Sequence, residues 1–145
     1  MADQATQRMT IAVSPQRCYE TVLDFESYPI WARDLKEAKV LARDDEGRGV
    51  EVAFRAAAMG RSTSYTLRYS YSGAPRTVSW QLVEGDIMRR LDGAYEFVPV
   101  LDGASTEVVY DLTVDLVVPL PGFVKRRAEA RIMNTALREL RAHLE

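Results

Sequence analysis

Between residues 36 and 116 one pattern recurs six times: an apolar residue at every second position, then a short turn, most of them carrying Gly or Asp. In the clearest stretch Tyr65, Leu67, Tyr69 and Tyr71 alternate with Ser64, Thr66, Arg68 and Ser70. Val50, Val52 and Phe54 alternate with Glu51, Ala53 and Arg55, and Val78, Trp80 and Leu82 with Ser79 and Gln81. Tyr95 and Phe97 share a face of the stretch 87–99, and Val108, Tyr110, Leu112, Val114 and Leu116 share one further on. The first of the six, 36–44, places Ala38, Val40 and Ala42 together. Successive side chains on a strand point to opposite faces, so this period predicts strands with one apolar and one polar face. The turns DDEGRG, Met59-Gly60-Arg61, Gly73-Ala74-Pro75, Glu84-Gly85-Asp86 and Leu101-Asp102-Gly103 are short, which predicts antiparallel hairpins. An antiparallel sheet of this kind is wet on one side and must be covered on the other.

The last segment supplies the cover. From about Pro121 to Leu144 there is no internal proline, and Val124, Ala128, Ile132, Ala136, Leu140 and Leu144 recur at every fourth residue beside Met133 and Leu137. That stripe predicts a helix of ~35 Å at 1.5 Å per residue, long enough to cross the sheet. Upstream, Met9, Ile11 and Val13 share a face of a first strand over 7–13. Ser14 and Pro15 then have the character of a helix cap and first turn, and Cys18, Tyr19, Val22 and Leu23 form a stripe ending near Asp24. Pro29 biases Tyr28 away from the helical region, so a turn is expected there, followed by a short helix over 30–33. The sum is a single α+β domain over residues 1–145: a curved antiparallel sheet of about seven strands, two short helices after strand one, and a long C-terminal helix.

Several chemistries lack their residues. The single cysteine, Cys18, excludes an internal disulfide, and its apolar neighbours favour a buried small hydrophobe over a nucleophile. The single histidine, His143, is third from the C-terminus, a poor place for a catalytic triad, and one His with one Cys makes no zinc site. No Gly-rich phosphate loop and no acidic loop with calcium-ligand spacing is present. No metal or cofactor is therefore expected. The net charge of -2 offers no electrostatic footprint for nucleic acid. Residues 1–8 are polar, and no apolar run approaches the ~20 residues of a membrane span, so a cytoplasmic location is expected.

The order of elements and several local phrases resemble the START-like (SRPBCC) superfamily with its helix-grip fold, most closely the polyketide cyclase/dehydrase and coenzyme Q-binding groups. The phrases are SPQRCYETVLDFESYPIW, VSWQLVEGD at 78–86, LDGAYEFVPV at 91–100 and VPLPGFVKRRAEARI at 118–132. The resemblance implies an internal cavity for an apolar ligand. It leaves the ligand open, because one fold hosts many functions.

Four constellations bear on function. Tyr65, Tyr69, Tyr71, Tyr95 and Tyr110 fall on apolar faces, joined by Trp80, Phe54 and Phe97. A buried tyrosine hydroxyl wants a partner. Several on one concave face are expected to line a cavity with polar handles, the alternative being strand-end tyrosines whose hydroxyls reach water. Phe25, Tyr28, Ile30 and Trp31 lie in a loop that either borders the pocket mouth or plugs the end of the sheet. Phe123 with Lys125, Arg126, Arg127 and Arg131 forms an apolar tip beside a basic cluster, near a helix N-terminus where the dipole disfavours cations. It is read as a transient membrane contact or as a solvated helix face. Glu84, Asp86, Arg89, Arg90 and Asp92 flank a hairpin and are either an acid–base set or surface turn residues.

The candidate ligand-binding residues are Trp31, Phe54, Tyr65, Tyr69, Trp80, Tyr95, Tyr110, Ile132, Met133 and Ala136, with no catalytic residue assigned. The expected function is binding or transport of a lipid, quinone or polyketide-like molecule by a monomer or homodimer. The alternatives are a polyketide cyclase/dehydrase and an interaction module without a ligand.

Overall fold

The computed structural model describes residues 3–58, 60–117 and 119–145, so Met59 of the second hairpin turn lies outside the described residues. Seven strands form one antiparallel sheet: β1 (Asp3–Ile11), β2 (Leu35–Arg43), β3 (Gly49–Ala58), β4 (Arg61–Ser70), β5 (Thr77–Gly85), β6 (Met88–Val100) and β7 (Ser105–Leu116). Their order across the sheet is β1-β7-β6-β5-β4-β3-β2. Every consecutive pair from β2 to β7 is a neighbour, as short turns require. Strand β1 instead closes on β7, so the first and last strands lie side by side.

Helices α1 (Pro15–Leu23) and α2 (Tyr28–Trp31), with a single 3-10 turn at Phe25–Ser27 between them, link β1 to β2. The N-cap is built as its residues predict: the Ser14 hydroxyl accepts from the Arg17 amide at 3.3 Å, and Pro15 opens the helix. Helix α3 (Gly122–Leu144) packs closest to β1 and β7 and lies over the concave face. Leu137, Leu140 and Leu144 are buried in the core with Phe97, Val108, Val114 and Ile11. Two carboxylates, one two turns into α3 and one at its C-terminus, fasten the helix to the rest of the chain. Glu129 accepts the Leu116 amide at 2.9 Å, and Glu145 accepts the Ala12 amide at 2.9 Å.

Two expectations from the sequence are corrected. Strand β1 begins at Asp3 and ends at Ile11, earlier than 7–13, because the backbone of β7 pairs with it from Asp3↔Val114 to Ile11↔Thr106 whatever the side chains. Tyr28 is helical (φ -53°, ψ -41°) despite the proline after it, and α2 runs over 28–31 rather than 30–33. Its ring is buried against Phe25 and Trp31, and its hydroxyl donates to the Val22 carbonyl, so tertiary contacts override the local bias.

Candidate ligand-binding site

The sheet and α3 enclose a cavity of about 240 Å³. Its walls are laid down by register. Phe54 and Tyr65 are cross-strand partners with rings 5.4 Å apart; Tyr69 and Trp80 are partners at 5.9 Å; Tyr95 and Tyr110 are partners at 5.0 Å. Trp80 also meets Tyr95 at 5.4 Å and Tyr110 at 5.9 Å, which makes a continuous aromatic wall across β3–β7. The space for the indole depends on Gly93. A Cβ there would stand 2.6 Å from the Trp80 ring and 2.4 Å from the Asp111 carbonyl oxygen. Leu67, Leu91, Leu112 and Leu116 complete the sheet side; Ala128, Ile132 and Ala136 form the helix side.

The mouth lies where the exposed and partly exposed lining residues gather, with buried Thr63 beside them. Trp31, Ala32, Asp34 and Leu35 come from α2 and the approach to β2, Arg61 and Thr63 from the β3–β4 hairpin, Ile87 from the β5–β6 turn, and Arg131, Thr135 and Glu139 from α3. Arg131 donates two bonds to Asp34, at 2.8 and 2.9 Å. These bonds, with burial opposing them, hold the Asp34 carboxyl below its ordinary value. Glu139 accepts the Arg33 amide at 3.1 Å. The segment 32–35 is thus tied to α3 at two points beside the opening.

The tyrosines divide into two sets. Tyr28 donates to the Val22 carbonyl and Tyr71 to the Gly49 carbonyl at 2.6 Å, so both are structural. Tyr69, Tyr95 and Tyr110 are buried, Tyr65 is half-buried, and none of their hydroxyls bonds to another group of the protein among the described residues. No buried side-chain oxygen lacks a partner there either, so these four hydroxyls open onto accessible space. Burial pushes all four phenols well above their ordinary value, and for Tyr69 and Tyr110 their neighbours among the set add to the effect. They stay protonated and available as donors.

Of the ten residues singled out from the sequence, Trp31, Phe54, Tyr65, Tyr69, Trp80, Tyr95, Tyr110, Ile132 and Ala136 line the cavity. Met133 does not. One residue after Ile132, it is turned by about 100° around the helix and packs against the core. Phe97 is likewise core, stacked on Tyr95 at 5.9 Å on the side shared with Tyr19. Lys125 is no free cation for a membrane. Its ammonium is 2.9 Å from Asp115 and 3.9 Å from Glu129, and the Asp115 bond raises its pKa. The hairpin charges also lie outside the cavity. Asp86 accepts from the Thr63 hydroxyl and the Ser64 amide, Asp92 from the Leu82 amide, and Arg89 pairs with Asp115 at 3.7 Å. Cys18 is fully buried, with a thiol pushed up by desolvation, as suits a core residue.

Sequence reasoning did not assign the mouth residues Asp34, Arg61, Thr63, Thr135 and Glu139, which carry no periodic signal. Leu112 and Leu116 were within reach, since they share the face of Tyr110. No group of three or more His, Cys, Asp or Glu able to hold a metal occurs among the described residues. No helix among them is long and apolar enough to cross a membrane.

Solved structures with this architecture include a START superfamily protein from Mycobacterium smegmatis, at 26% identity and TM-score 0.85 over 97% of this chain and 96% of that one. The Zhui aromatase/cyclase from Streptomyces sp. R1128 superposes with TM-score 0.82 at 16% identity, over 99% and 92%. A major latex-like protein from Panax ginseng does so with TM-score 0.69 at 11% identity, over 99% and 97%. The last two likenesses are of fold alone. No curated protein matches the chain. The sequence family described as "Polyketide cyclase / dehydrase and lipid transport" matches residues 2–145, and with the helix-grip fold this shows that the chain belongs to that family, within the START-like superfamily.

Proposed function

We propose that the protein binds and carries a small apolar molecule in the cavity between the sheet and α3. The observation that carries this reading is the set of unpaired tyrosine hydroxyls in an otherwise apolar enclosure. A filled core leaves neither the space nor the open polar groups. The size bounds the ligand. A dry cavity of about 150 Å³ accepts one benzene ring, and drug-sized pockets start at about 300 Å³. At about 240 Å³ the present cavity suits a molecule of one or two rings, with any longer chain leaving through the mouth.

Cyclase chemistry would need an acid–base pair within reach of the bound chain. The charged groups along the cavity stand at its mouth, and two of them, Asp34 and Arg131, are committed to each other. Binding is therefore the favoured reading. Exchange with a bilayer belongs to it through exposed Phe123 beside Arg126 and Arg127, whereas Lys125 stays with Asp115.

Native mass spectrometry of the purified protein, followed by solvent extraction, tests the proposal. A stoichiometric bound mass that disappears on denaturation supports it. An unliganded mass that does not change with quinones, fatty acids or polycyclic aromatics overturns it.

A further inference from the structure

The cavity has two chemically different ends. At the mouth are Arg61, the Asp34–Arg131 pair and Glu139. At the far wall, on β4 to β7, the polar groups are the hydroxyls of Tyr69, Tyr95 and Tyr110 and the indole of Trp80, all neutral. A charge placed there has no counter-ion, and desolvating an unpaired ion costs far more than desolvating a neutral oxygen. A hydrocarbon placed there leaves three hydroxyls without partners, which also costs free energy. A neutral carbonyl or hydroxyl oxygen meets both conditions. It accepts from one or more phenol donors and brings no charge.

Resting on the binding function proposed above, we infer that the Tyr69–Tyr95–Tyr110 wall is a subsite for an uncharged ketone or phenol oxygen on a one- or two-ring ligand, which enters oxygen first. The ring then lies against Trp80, in the offset or tilted geometry that aromatic neighbours prefer. Substituents point toward Trp31 and the Asp34–Arg131 pair. Ionised carboxylates are disfavoured at this wall, which separates the site from one built for fatty acids.

Calorimetric titration with four probes of similar size tests the inference: 1-tetralone, 2-naphthol, naphthalene and 2-naphthoate at neutral pH. The expected order is 1-tetralone and 2-naphthol about tenfold tighter than naphthalene, with 2-naphthoate weakest, since a net hydrogen bond is worth up to about a factor of ten. In the double variant Tyr95→Phe/Tyr110→Phe the preference over naphthalene falls to about twofold, and naphthalene itself binds no more weakly than to the wild type, since fewer hydroxyls are left without partners. Retained naphthalene binding shows that the variant cavity is intact.

Equal binding of naphthalene and 1-tetralone by the wild type overturns the oxygen subsite and leaves the cavity function standing. So does a preference that survives the double substitution. Tight binding of 2-naphthoate overturns it as well and moves selectivity to Arg61 or Arg131. Failure of all four probes to bind overturns the binding function itself, and the subsite with it.

Discussion

Arg131 of α3 holds Asp34, one residue before β2, through two bonds of 2.8 and 2.9 Å across the mouth of the cavity. Both side chains are partly in water, so the pair adds little to global stability. It does fix the segment that an entering ligand must pass.

Asp34→Asn is therefore expected to speed release of a bound ring compound severalfold and to change its affinity less, because mouth and wall are separate. Stopped-flow quenching of tryptophan fluorescence, from Trp31 and Trp80 together, measures this. The pH dependence has a definite sign. The folded-state pKa of Asp34 is lowered, chiefly by the Arg131 bond, so the clasp is complete above the ordinary aspartate value. It is lost as pH falls through the lowered folded value. Release by the wild type should accelerate in that acid window, and release by Asp34→Asn should be flat there. Equal rates for the two proteins at neutral pH would rule out a gating role.

The glycine in β6 allows a sharper test. At Gly93 a Cβ would meet the backbone oxygen of Asp111 at 2.4 Å as well as the Trp80 ring, and backbone cannot swing aside as a flexible side chain can. Gly93→Ala is expected to cost about 2 kcal/mol or more, within the usual range for overpacking. It should also displace the indole into the cavity. The urea midpoint with an unchanged m-value measures the first effect, and loss of affinity for 2-naphthol the second.

The alternation of residues 64–71 and 78–82 was enough to place Tyr65, Tyr69 and Trp80 on one wall, because a strand leaves each side chain one of two faces. The same rule could not separate Tyr71, whose hydroxyl bonds the Gly49 carbonyl, from its neighbours, since alternation gives the face and not the position along it. On α3 the four-residue stripe placed Ile132 and Ala136 at the cavity, but its flank at Met133 falls on core. The mouth was illegible. Asp34 meets Arg131 across 97 residues of chain, a distance that only the closed sheet removes. Strand β1 was half-read because its first residues, DQATQ, show no apolar alternation; they pair with β7 through backbone and through bonds from the Gln4 and Thr6 side chains to Asp111, none of which leaves a periodic signal.

Glu129 carries a third prediction. It is almost fully buried on α3, accepts the Leu116 amide, and faces Lys125 on its own helix, Asp3 from β1 and, through Lys125, Asp115 from β7. Burial first, and then Asp3, raise its pKa; the amide bond and Lys125 pull the other way. A carboxyl with a raised folded-state pKa favours the folded state at low pH, and that contribution is lost as pH rises from the ordinary glutamate value through the raised one. Glu129→Gln keeps an oxygen for the Leu116 amide and carries no charge. It should gain stability relative to the wild type across that window and level off above it, as read from chemical denaturation at a series of pH values. A difference that does not change with pH would mean that Glu129 has the same pKa folded and unfolded.

Two residues eight apart on α3 separate cavity from core. Leu140 is fully buried among packed neighbours, so Leu140→Ala removes contacts on all sides and should cost about 2–5 kcal/mol. Ile132 has the cavity on one side, where contacts are already missing. Ile132→Ala should therefore cost distinctly less, about 1–2 kcal/mol, below the usual range for a packed site. It should also enlarge the cavity, so that ligands one ring larger than 2-naphthol gain affinity while 2-naphthol itself loses some. Leu140→Ala should leave that size preference where it was. Equal destabilisation by the two substitutions, with no change in ligand size preference, would mean that the helix side is packed solid and that the space beside Ile132 closes in solution.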